Sequence, residues 1–140
     1  MVALDSAAGE VLFLLGRLVF GLVLAFMSVG HFTNTEFMAG YAEAKGVPAP
    51  ELSVVASGVT LLLGALGVAA GVFPVVAAGA LAVFFLLTAL LMHDFWNVGE
   101  EEKQNEIIQF QKNVALFGAS LAFLAVGGSA WPYAVGAGLF

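Results

Sequence analysis

The stretch Val11–Gly30, VLFLLGRLVFGLVLAFMSVG, runs for twenty positions with one charged side chain, Arg17. At 1.5 Å per residue, a helix of that length covers the roughly 30 Å of a bilayer's hydrocarbon layer. The run therefore reads as a transmembrane helix. The rest of the chain agrees: of 140 residues, 61% are hydrophobic and 10% charged. Soluble domains are about 45–50% apolar and about 25% charged. A soluble protein of this length would lack the polar surface to cover itself, and the excess must face lipid.

Three further runs follow. Unpaired backbone amides cannot sit in lipid, so each should be a helix. The four spans are about 11–31, 52–72, 75–93 and 106–127, forming an all-α integral membrane four-helix bundle in a single domain over 1–140. The fourth is purely apolar only from Val114 to Val126, and reaches full length with IIQFQKN as its first turns. Gly71-Val72-Phe73-Pro74 makes a tight break between the second and third, glycine ending one helix and proline opening the next. The connection from about Phe32 to Glu51 contains GVPAP, where Pro48 and Pro50 hold the backbone extended. The acidic start, MVALDSAAGE, lacks the basic opening of a cleavable signal peptide, so the first run is expected to be kept as a span. A multi-pass protein of the cell membrane is the expectation.

The net charge of −6 makes nucleic acid a poor partner. There is no cysteine, hence no disulfide or thiolate chemistry by this chain. Gly67-Val-Ala-Ala-Gly71 is a GxxxG, which suits close helix packing within the bundle or a homo-oligomer seam.

Four spans put both termini on one face. The connections after spans one and three share the other, and most of the ionisable groups collect there. LLMHDFWNV, residues 90–98, brings His93, Asp94, Trp96 and Asn97 to the end of span three, level with His31 at the end of span one. Span four enters from the same face with Glu106, Gln109 and Asn113 on one stripe, and with Lys112, for which Asp94 is the nearest expected partner. A solvated loop would account for Trp96, Asn97 and the EEEK run. The remainder also fit a pocket. Arg17, near the opposite face, should snorkel, pair with Glu10, or turn inward to a carbonyl or an anionic ligand. His31 and His93 sit on different helices with no HxxxH or ExxH spacing, and no haem, flavin or metal motif is present.

LLGRLVFGL, GHFTN, GVPAP, SGVTLLLGALGVAAGV, MHDFW and FQKNVALFGASL, in that order, resemble the DoxX family of small four-helix membrane proteins. That family takes its name from the membrane subunit of an archaeal thiosulfate:quinone oxidoreductase. The resemblance implies a membrane component of quinone-linked sulfur or redox metabolism with a redox partner protein, and its matching polar positions are Arg17, His31, His93, Asp94, Trp96, Lys112 and Asn113. The tail WPYAVGAGLF departs from the charged ending common in relatives, which leaves open what meets Arg17. Three functions compete: a redox-linked subunit with a quinone at the loop-face pocket, not catalytic alone; a scaffold that anchors a partner protein; and a small lipid- or solute-handling protein.

Overall fold

A computed structural model describes residues 3–137. Its helices are α1 (Ala7–Thr33), α2 (Thr35–Ala44), α3 (Pro50–Ala70), α4 (Pro74–Met92) and α5 (Glu100–Ala125), with a 3-10 turn at Phe95–Asn97. Among the described residues there is no strand. The helices α1, α3, α4 (with the 3-10 turn that follows it) and α5 are long and apolar enough to cross a membrane. The protein is a multi-pass integral membrane protein.

The helix ends follow local chemistry. Ser6 caps α1, its hydroxyl accepting from the Gly9 amide at 3.1 Å, so one of the unpaired first-turn donors is satisfied. Pro50 and Pro74 each open a helix, where a missing N–H is no loss. The residue before proline avoids the right-handed helical region, and Ala49 and Phe73 take the left-handed one instead, at φ 46° and 45°. Gly71 ends α3 at φ 68°, and the next amide, Val72, reaches back to the Gly67 carbonyl.

The connection after the first span holds a helix of its own, α2, ahead of GVPAP. Asn34 breaks α1, its amide closing on the Gly30 carbonyl, and Thr35–Ala44 starts again before Gly46 and Pro48 stop it. The EEEK run, expected in a solvated loop, is helical instead. Glu100, Glu101 and Glu102 make the first turn of α5, where carboxylates suit the positive end of the helix dipole.

In space α1 lies against α3, α3 against α4, and α4 against α5, with α2 laid on α3. Leu24, Leu61, Val68, Leu81 and Phe85 fill the centre. The glycines of α3 are used inside the chain: a side chain at Gly58 would strike His31, and one at Gly64 would strike Leu81. The helix α5 is the least buried span, and the residues it hides, Glu106, Asn113 and Ser120, are all polar and seven apart. In lipid a polar stripe turned inward and apolar faces turned outward is the favourable arrangement.

The described C-terminal residues fold back over the terminal face. The Val135 amide donates to the Ala70 carbonyl at 2.9 Å, the Phe73 amide to the Ala137 carbonyl at 3.0 Å, and Trp131 is buried on Phe13 and Phe123. Arg17, 1% exposed, lies beneath this strap. Its Nη2 donates to the Tyr133 carbonyl at 2.7 Å, and the guanidinium stands 5.8 Å from the Trp131 ring. It neither snorkels nor pairs with Glu10.

Gly21 sets the closest approach of α1 to α3, since an added Cβ would lie 2.4 Å from the Ala65 carbonyl oxygen. Gly21→Val is expected to cost about 1–3 kcal/mol, as overpacking does, seen as a lower melting temperature in detergent. An unchanged melting temperature would mean that this contact does not set the helix spacing.

Candidate functional site

The loop face is held together by a ring of polar side chains from α2, α4 and α5. Tyr41 and Lys45 are four apart and so share one face of α2 and its C-terminal cap. Lys45 forms an ion pair with Asp94, which also accepts from Asn97 Nδ2 at 3.2 Å, and its ammonium sits 5.5 Å from the Tyr41 ring. The Tyr41 hydroxyl lies 2.5 Å from Glu106 Oε1 and 2.8 Å from the Met92 carbonyl, so its one proton is shared between two acceptors. His93 Nδ1 lies 2.9 Å from Glu106 Oε2. Both oxygens of a carboxylate that is 6% exposed are therefore occupied. Burial first, then the hydrogen bond and charge of Glu106, push the Tyr41 phenol above its usual range, so it keeps its proton and donates.

Beneath this ring is a cavity of about 710 Å³. Its walls are mostly aliphatic and aromatic, with Leu61, Phe84, Phe85 and Met92 among them, and a few polar groups converge on it. Tyr41 and His93 line it from the ring, His31 from α1, and Gln109, Lys112 and Asn113 from α5. His31 Nδ1 faces the Ser28 carbonyl of its own helix without making a well-directed hydrogen bond. Asn113 Nδ2 donates to the Thr88 hydroxyl at 3.0 Å, and that hydroxyl donates to the Phe84 carbonyl at 2.8 Å, so this pair is satisfied within the bundle. Lys112 Nζ donates to Gln109 Oε1 and has two further protons.

The cavity exists because α1 and α5 do not pack backbone to backbone. Near the terminal face Phe13 and Phe20 meet Phe123 across the gap, with ring centroids 5.9 and 5.0 Å apart. Toward the loop face no such aromatic bridge closes it, and Met27 and Lys112, both exposed, flank the opening.

The structure thus brings His31, His93, Lys112 and Asn113 to one cavity. Asp94 is on the ring but not the cavity wall, and its partner is Lys45, not Lys112. Trp96 is 58% exposed and packs edge-on against Phe95 and Phe110, at the surface. Arg17 is at the other end of the bundle. Sequence reasoning missed Tyr41 and Lys45, although their four-residue spacing would have shown a shared face. It placed Glu106 on a stripe with Gln109 and Asn113 without seeing its two partners. Among the described residues no three His, Cys, Asp or Glu side chains are gathered to hold a metal.

The DoxX family model matches residues 12–94. The chain belongs to the DoxX family. That match spans α1 to α4, whereas α5, which brings Glu106, Lys112 and Asn113 to the loop face, lies beyond it. No curated protein and no solved structure matches the chain.

If Glu106 fixes α2 to α5, Tyr41→Phe should leave one carboxylate oxygen short of a donor. The expected cost is about 1–3 kcal/mol. Adding Glu106→Leu to Tyr41→Phe should then cost less than the two single losses together. Denaturation in detergent measures all three variants, and strictly additive losses would show that the two side chains do not interact.

Proposed function

We propose that the protein is a membrane subunit of a quinone-linked redox system in the cell membrane, and that its loop-face cavity holds the head and first tail carbons of an amphiphilic quinone. The observation that carries this reading is the cavity: about 710 Å³, mainly apolar, beside lipid, with polar groups converging from α1, α2, α4 and α5. Pockets for small ligands and cofactors run roughly 300–1,000 Å³, with apolar walls and a few placed polar groups. An amphiphile fits on both counts, because its tail takes the aliphatic wall and its head the polar one. The gap between α1 and α5 lets such a molecule arrive from the bilayer without crossing water. The redox setting is what the family resemblance implies.

In this reading the chain's own part is to hold and orient. His31 and His93 offer imidazole nitrogens, Lys112 offers ammonium protons to an oxygen of the head, and Phe84 supplies an aromatic wall. Redox chemistry belongs to the quinone, and electrons come from a partner protein.

A short-chain quinone analogue should raise the melting temperature of the purified protein and give a difference spectrum. Lys112→Met should weaken that binding about tenfold or more, the loss of one well-placed hydrogen bond from a charged group. Ser57→Phe, which fills the cavity and leaves the ring untouched, should abolish it. Absence of both signals in the parent protein would end the proposal.

A further inference from the structure

The Glu106 carboxylate does not line the cavity, yet it decides what two cavity-lining groups present to it. His93 Nδ1 and Glu106 Oε2 are 2.9 Å apart and share a proton. An ionised carboxylate only accepts, so Nδ1 is the donor of this pair and carries the proton. A neutral imidazole with its proton on Nδ1 carries a lone pair on Nε2. No hydrogen bond engages Nε2 among the described residues, and His93 is on the cavity wall. Tyr41 is in the same condition. Its single proton goes to Glu106 or to the Met92 carbonyl, and a lone pair is what its oxygen has left.

Resting on the quinone reading above, we infer that the His93–Glu106 pair, with Tyr41, makes this wall an acceptor, so that the site prefers a hydroxyl-bearing head, the quinol, over the oxidised quinone. A quinone carbonyl is an acceptor and would meet acceptors at this wall. A quinol hydroxyl donates to His93 Nε2, and the partial positive charge drawn onto the ring is held by Glu106. Lys112 does not discriminate, because its protons serve a carbonyl or a hydroxyl oxygen equally. Selection between the two redox forms therefore falls to the wall that Glu106 organises.

The test measures binding to the full chain in detergent of three probes: a short-chain quinol kept reduced without oxygen, the matching quinone, and the quinol dimethyl ether. The parent protein should bind the quinol about tenfold tighter than either of the others. His93→Leu should bring the three within about twofold, by lowering the quinol affinity. Should that variant not fold, the parent's own ranking decides. Equal binding of the three probes, or a preference for the quinone, overturns this inference and leaves the quinone site standing. Failure of all three to bind overturns both.

Discussion

A carboxylate withdrawn from water at the end of a lipid-embedded helix has to be satisfied by its neighbours, and at Glu106 that requirement organises the loop face. Isolated burial of an ionised group costs several kcal/mol even after relaxation. Glu106 meets the demand with a phenol from α2 and an imidazole from the end of α4. Two segments with little else in common, the ten-residue α2 and the His93 turn, are thereby pinned to α5. Isolated helices shorter than about 12–15 residues are marginal in water. What seats α2 over the cavity is the packing of Ala39 and Ala42 on Val54, together with the Glu106 tie and the Lys45–Asp94 pair at its C-terminal end.

The same constraint is met differently at the other end. Arg17 is as buried as any side chain in the molecule, but its partner is a backbone carbonyl, and an aromatic face lies alongside. A guanidinium donates in five directions, so one carbonyl does not exhaust it. Among the described residues its Nε and Nη1 reach no acceptor, and the turn at the end of α3 packs against Nη1 near Gly71, where the helix's unpaired carbonyls concentrate negative potential. Arg17 therefore acts as a staple between α1, the α3 terminus and the strap, not as part of the loop-face cavity.

How much of this could be read from sequence depended on the range of the interaction. The four spans were legible because lipid imposes one rule on every residue of a run, and a run of twenty apolar positions satisfies it in only one way. That His31 and His93 share a depth was legible too, from topology alone. Partner choice was not. Asp94 had two lysines within plausible reach, and the decision turned on whether residues 35–44 were extended or helical, a matter settled by weak local preferences and by Glu106. Nor could spacing say that Glu106 and Asn113 point into the bundle while Gln109, three positions on from Glu106, lines the cavity. The seven-residue repeat through Ser120 carries that signal, but it is visible only once α5 is known to pack mainly on α4. The strap over Arg17 left little mark, since its hydrogen bonds to Arg17, Ala70 and Phe73 run through backbone groups that every sequence has, and Trp131 is the side chain that anchors it.

The cavity itself follows from an imbalance in side-chain size along α1 and α5. Near the terminal face the space between these helices is filled by Phe13, Phe20, Phe123 and Trp131, rings large enough to bridge it. Nearer the loop face the corresponding positions are Gly30, His31 and Asn113, which are too small or already engaged. Ridges and grooves alone would draw α1 onto α5 and close the gap. Gly58 opposes this, because it lets His31 and Phe32 settle against α3 and keeps the end of α1 there. A glycine on one helix thus holds open a space between two others, and the polar ring above it keeps α2 from filling that space. Small residues in this bundle are as responsible for the recess as the ionisable groups that line it.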